Sequence, residues 1–297
     1  MPRIWKVDSE RYKKERTLDR LLVIDGSNLL FQMFFGMPAR IVNEQGKAIQ
    51  GTLGFTGAML KIIRMVKPTH LLVVLDGEHE NARCELDAEY KANRADYSVV
   101  CEEENPFSQL PDVYRALDYL KIRYIETTDC EADDLIAAYA LSYGRAAEVV
   151  ISSFDSDFFQ LITERVSVLR YRGEKTTVCT PEFVAKKFGI VPAQYADLKS
   201  LVGDHADNIR GAEKVGAKTA AELLREFGTL ENILLYAEKI RKLSVRESIM
   251  RNSERLRINY QLIKLGKGSA LPFELQDLEY CDDGKTTNEV LKGIGLR

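Results

Sequence analysis

Two short apolar runs, LLVID at 21–25 and LLVVLD at 71–76, are rich in Leu and Val and do not alternate with polar residues. That is the pattern of strands buried on both faces. Residues 123–126, 149–152 and 166–170 continue the series, and helical stretches cover roughly 27–36, 52–66, 109–121, 131–143 and 156–163. Strands alternating with helices predict an α/β fold with a largely parallel sheet. From Pro181 the pattern turns mainly helical, through PEFVAKKFG, PAQYADLKSLVGD and GAEKVGAKTAAELLREFG. The expected organisation is an N-terminal extension at 1–20, with Trp5 its one hint of docking, an α/β domain at 21–180 and a helical part at 181–297.

Nine acids fall in five short clusters, each where a strand would end or a helix begin. Asp25 and Asp76 close the first two runs, and Asp155 and Asp157 follow VVIS. Glu131, Asp133 and Asp134 open a helix in CEADDLIA, and Asp204 and Asp207 lie in GDHADNIRG. In open α/β sheets the ligand site lies at the carboxyl ends of the strands, so these nine acids are expected to converge. Each alone reads as a helix cap or a strand-to-turn signal. Gathered together they repel, and need cations. Hard divalent ions with oxygen ligands answer that need, and a pair of them about 4 Å apart fits phosphoryl transfer.

Composition narrows the class. The chain has 297 residues, 45% hydrophobic and 29% charged, which reads as a globular protein. No apolar run is long enough to span a bilayer and no signal-peptide core opens the chain, so a cytoplasmic location without membrane association is expected. Five scattered cysteines include no CxxC pair, which argues against disulfides and a zinc site; only three histidines are present. No GxxxxGK[ST] loop supports an ATPase. The net charge of −3 conceals an asymmetry: residues 208–268 carry thirteen Lys and Arg against seven Glu. An acidic pit beside a basic surface suits a phosphodiester substrate. Arg83, Lys91 and Arg94 could lie along one helix leaving the pit and hold the scissile phosphate. In GAEKVGAKT, the turn Gly211–Gly216 and the following Lys218 and Thr219 suit backbone capture of a DNA phosphate.

IDGSNLLF, EYKANR, EADDLIA, SFDSDFFQLIT and GDHADNIRGAEKVGAKTAAELLREFG resemble, in order and spacing, the motifs of the 5′-nuclease (flap endonuclease) family. That family includes the 5′→3′ exonuclease domain of bacterial DNA polymerase I, and this chain looks like a stand-alone member. The resemblance implies a PIN-like α/β domain with a mostly parallel sheet, a helical arch and a C-terminal helical part with a helix–three-turn–helix (helix-hairpin-helix-like) element. It implies a structure-specific exonuclease and flap endonuclease acting in replication and repair. Its substrates would be DNA with 5′ flaps, nicks or single-strand/double-strand junctions, including RNA-primed strands, and the enzyme would be a monomer.

By motif match, Asp76, Glu131, Asp133 and Asp155 would serve one Mg²⁺ or Mn²⁺, and Asp155, Asp157, Asp204 and Asp207 the other. Asp25 and Asp134 would hold waters. Arg83, Lys91 and Arg94 match the catalytic phosphate contacts, and Tyr90 would stack on a terminal base. Gly211, Val215, Gly216, Lys218 and Thr219 would bind duplex phosphates, with K⁺ held by carbonyls of that turn. Phe154 and Ser156 replace the family's usual Gly and basic residue, His205-Ala206 replaces a small polar pair, and the arch segment 96–110 is acidic. Two competing readings are a non-catalytic DNA-junction binding protein and a PIN-type ribonuclease.

Overall fold

The first strand, β1 (Arg20–Asp25), feeds two cores, because successive side chains point to opposite faces. Leu21 and Val23 enter one core, Leu22 and Ile24 the other. The computed structural model describes residues 18–37, 39–77, 82–94, 97–266 and 270–297. The reading of Trp5 and most of the N-terminal extension lies outside them, as do Asp96 and Lys267.

After β1 come α1 (Gly26–Gly36), α2 (Gln50–Val66), β2 (His70–Asp76), α3 (Ala82–Leu86) and α4 (Leu110–Tyr119). Then follow β3 (Arg123–Thr127), α5 (Ala132–Tyr143), β4 (Glu148–Ser152), β5 (Val166–Arg170) and β6 (Thr177–Cys179). The sheet order is β3-β2-β1-β4-β5-β6, parallel throughout except for β6, which pairs antiparallel with β5. The strand order reverses between β1 and β4, so the carboxyl ends of these two strands border the crevice where ligands bind in such sheets. Asp25 and Asp155 stand there.

The remaining chain forms α6 (Pro181–Phe188), α7 (Tyr195–Val202), a short hairpin of β7 (Gly203–Asp204) and β8 (Ile209–Arg210), and α8 (Ala217–Phe227). It ends with α9 (Leu230–Leu235), α10 (Leu243–Arg251), α11 (Ser253–Ile263) and α12 (Thr287–Gly293). Leu198, Leu201 and Leu224 share one core with Val23, Tyr139 and Phe159, so the helical part is packed directly on one face of the sheet. Burial of each such Leu is worth about 1.5–3 kcal/mol. The last helix departs from the expected grouping of 181–297. Val290 and Leu291 of α12 enter the opposite core, beside Phe55, Met59 and Leu117. No helix among the described residues is long and apolar enough to cross a membrane.

Two local expectations fail. Arg83, Lys91 and Arg94 do not share a helix: α3 ends at Leu86, turns follow, and Lys91 is left-handed at φ 56°. The helix expected at 156–163 is a 3-10 segment, Asp157–Leu161. In the segment expected as an arch, the described part contains 3-10 turns at Tyr97–Val99 and Pro106–Gln109.

Candidate active site and metal centre

Asp25 ends β1 and immediately caps α1, accepting from the Asn28 amide at 2.9 Å. Its other oxygen accepts from Ser153 Oγ at 2.7 Å. Asp76, at the end of β2, accepts the Ala132 amide of α5 at 2.8 Å, and so holds the EADD segment against the sheet. After β4 the chain turns: the Asp155 amide donates to Ser153 Oγ and the Asp157 amide to Asp155 Oδ1 at 2.8 Å. The turn brings both acids, two positions apart, to the same end of the sheet.

Asp25, Asp76, Glu131, Asp133 and Asp155 line a cavity of about 420 Å³. Burial is the main force on Asp25 and Asp133. It pushes Asp25 from 3.8 up to about 7 against its two hydrogen bonds, with repulsion from Asp76 and Asp155 adding to it. Asp133 is also driven well up, by burial and then by Asp155, Asp25 and Asp76. Buried carboxyls raised in this way hold protons that a metal ion would displace.

The second acid group forms where the helical part meets the sheet. Asp204 ends β7 and Asp207 lies in the turn to β8, and with Asp157 they offer oxygens all within 4.8 Å of one another. The donors are all carboxylate, without His or Cys, which fits Mg²⁺ or Mn²⁺. The hairpin is held by buried Asn259, which donates to the Ser200 and Arg210 carbonyls at 3.0 and 2.8 Å. Asn208 donates to the Glu89 carbonyl, and the Lys91 amide to the Asp207 carbonyl. The segment carrying the basic residues is thereby tied to the second acid group.

Cations already meet several acids. Arg83 pairs with Glu131 and, at 2.9 Å, with Asp134. Lys91 Nζ lies 2.6 Å from Glu131, and Arg94 reaches Asp207 at 2.8 Å. Lys199, not singled out in the sequence, joins Asp157 to Asp204. Burial raises Asp157 to about 7 although Lys199 opposes the shift. In less buried Asp204 burial also acts upward, but Lys199 outweighs it and the carboxyl is lowered.

Tyr90 differs from expectation. It is 5% exposed, packed with Ile209, Leu262 and Ile263, and its hydroxyl points at Glu131 across 3.4 Å. Its ring offers no open stacking face. The pit's aromatic wall is instead Phe31 and Phe107, with ring centroids 5.2 Å apart. Phe31 stands six residues after Asp25 in the same motif, on α1. At Phe154, Arg170 and Arg172 lie over the ring at 5.0 and 5.4 Å, which brings positive charge to the position where the resemblance expects Gly.

The Gly211–Gly216 turn leads into α8. Gly211 is pressed against the end of α7: a Cβ there would meet the Val202 carbonyl carbon at 2.2 Å. Gly216 is the N-cap of α8, with open space where a Cβ would stand and no side-chain cap on the helix. Its first amides are free to take an anion, and Lys218 beside them is exposed. Val215 is buried, so only its backbone can face DNA. Gly211→Ala should cost about 2–4 kcal/mol by thermal melting, whereas Gly216→Ala should leave the melting temperature nearly unchanged.

Carboxylates gathered at the carboxyl ends of a parallel sheet are a donor set suited to hard divalent ions. Residues 20–189 match the N-terminal, resolvase-like domain of 5′-3′ exonucleases, and residues 190–285 match their C-terminal SAM fold. The chain belongs to the 5′-3′ exonuclease family. It is 33% identical over 282 residues to DNA polymerase I of Bacillus caldotenax, covering 94% of this chain and 32% of that protein. It is 34% identical over 257 residues to the thermostable DNA polymerase I of Thermus thermophilus, covering 86% and 30%. The chain thus spans about a third of the length of these polymerases. Among solved structures it resembles the T5 D15 protein co-crystallised with metal ions (TM-score 0.66, 25% identity, 82% and 88% of the two chains). It also resembles T5 5′-exonuclease with zinc bound (0.69, 23%, 93% and 98%). The catalytic core of Rad2 in complex with DNA shares the fold (0.56, 17%, 93% and 92%).

Proposed function

We propose that this chain is a structure-specific 5′→3′ exonuclease and flap endonuclease that hydrolyses phosphodiester bonds of branched or nicked DNA, as in primer removal and repair. The observation that carries the reading is the connection between α7 and α8. Within residues 203–216 it bears both Asp204 and Asp207 and the uncapped turn before α8. A duplex held by its phosphates at that turn lies in register with the acid groups.

Two Mg²⁺ or Mn²⁺ ions, when bound, would acidify a water and neutralise the phosphoryl oxygens. Asp76, Asp133, Asp155 and Glu131 would hold one, and Asp155, Asp157, Asp204 and Asp207 the other, with Asp25 and Asp134 orienting waters. K⁺ at the carbonyls of the Gly211–Gly216 turn is part of the same reading. Lys91 and Arg83, drawn off Glu131 and Asp134, would donate to the scissile phosphate, and Arg94 to the adjoining one. Phe31 and Phe107 would stack on the unpaired terminal base in the role expected of Tyr90. Lys214 and Lys218 would grip the duplex.

Product mapping on 5′-flap, nicked and blunt duplexes and on single-stranded RNA tests this. Short 5′ fragments released at the flap junction, with RNA left intact, are expected. Cleavage confined to RNA would establish the ribonuclease reading instead. Phe31→Ala should slow flap cleavage by about 10–100-fold with duplex affinity little changed. Duplex binding should fall steeply with salt, and joint replacement of Lys214 and Lys218 by Ala should lower the slope of log K against log salt by about 2. An unaltered slope would remove both lysines from the interface.

A further inference from the structure

The nine acids are not equal in their surroundings. Among the described residues, no Lys or Arg forms an ion pair with Asp25, Asp76, Asp133 or Asp155, and these four line the pit. The second group differs. Lys199 leaves the last turn of α7 and its ammonium bonds Asp157 Oδ1 while standing 2.5 Å from Asp204 Oδ2. The lysine side chain is only 11% exposed, and the two carboxylates are 10% and 16% exposed. Arg94 on Asp207 is a different case, since its side chain is 56% exposed and can turn to solvent or phosphate.

A divalent ion bonds carboxylate oxygens at about 2.0–2.1 Å for Mg²⁺. An ion that uses Asp157 and Asp204 must bond the same two carboxylates that already hold the ammonium, at Asp157 Oδ1 and Asp204 Oδ2. Two cations in one buried space repel strongly, because little water screens them. Each cation therefore weakens the binding of the other.

We propose that Lys199 is the built-in cation of the second carboxylate group, competing with the divalent ion for Asp157 and Asp204. The two ions then load in sequence, the pit first, and the second enters only when the ammonium is displaced. The same lysine keeps Asp157, Asp204 and the β7–β8 hairpin in position while that ion is absent. This inference rests on the metal reading of the acids given above.

The test is Mn²⁺ titration of the DNA-free protein, reading free Mn²⁺ by electron paramagnetic resonance, for wild type, Lys199→Met and Lys199→Arg. Wild type is expected to take one ion and then a second at least about tenfold more weakly. Lys199→Met should tighten the second step by about tenfold or more, while Lys199→Arg leaves it weak. A second step unchanged or weakened in Lys199→Met overturns the role of Lys199 and leaves the metal reading standing. A wild type that takes up no Mn²⁺ overturns both. Melting curves supply a second readout that survives poor folding of the variant. Lys199→Met should melt below wild type without metal and recover fully with Mn²⁺, and a loss that Mn²⁺ does not restore contradicts the proposal.

Discussion

Asn in place of Asp155 should lower flap cleavage by about 10³-fold or more, roughly 4 kcal/mol of transition-state stabilisation. Asp155 occupies the pit, and its carboxylate also receives the Asp157 amide at the boundary with the second acid group. Stability should move in the opposite direction. Asp155 repels Asp25, Asp133 and Asp157, each of which is already raised by burial. Removing that charge relieves three neighbours, so the metal-free variant should melt at or above the wild-type temperature at pH 8. Circular dichroism melts beside single-turnover cleavage rates check both halves. A variant that loses activity only because it unfolds would contradict the assignment.

Metal binding and stability should both depend on pH, with opposite signs. Asp25 and Asp157 titrate near 7 in the folded chain against 3.8 for an ordinary carboxyl, and Asp133 is raised as well. The folded, metal-free protein therefore keeps protons that the unfolded chain releases above about pH 4. Its stability from these groups is fully present below that value, falls as pH rises, and is lost once pH passes about 7. A divalent ion must displace the same protons, so its affinity should rise toward neutral pH, on the order of tenfold per pH unit for each proton released. Mg²⁺ should thus raise the melting temperature strongly at pH 8 and little at pH 5.5. An equal shift at both values would show that these carboxyls are not the ligands.

Much of this site could be read along the chain because its parts are local. β1 and β2 announce themselves as apolar runs since both faces of a central strand are buried, and Asp25, Asp76 and Asp155 mark their ends and that of β4. The acids of CEADDLIA and GDHADNIRG stand out against helical or turn patterns. What escaped depends on contacts between distant segments. Lys199 reads as a surface lysine of an amphipathic helix until the β7–β8 hairpin folds Asp204 back over it. The turn after α3 is set by bonds from 89–94 to the hairpin, which no periodicity records. Tyr90 sits in a charged segment, yet its ring is covered by Ile209 and Leu262, one from β8 and one from α11. The edge strand β6 is three residues long, and α12 crosses to the opposite core, where only tertiary packing decides its partner.

If carboxylates from both halves of the chain form one centre for divalent ions, anomalous diffraction from crystals soaked in Mn²⁺ should reveal it. A peak is expected in the pit within bonding distance of Asp155 and its neighbours Asp76 and Asp133, and at higher Mn²⁺ a second peak among Asp157, Asp204 and Asp207. Peaks elsewhere on the protein, with none among these acids at saturating Mn²⁺, would contradict such a centre.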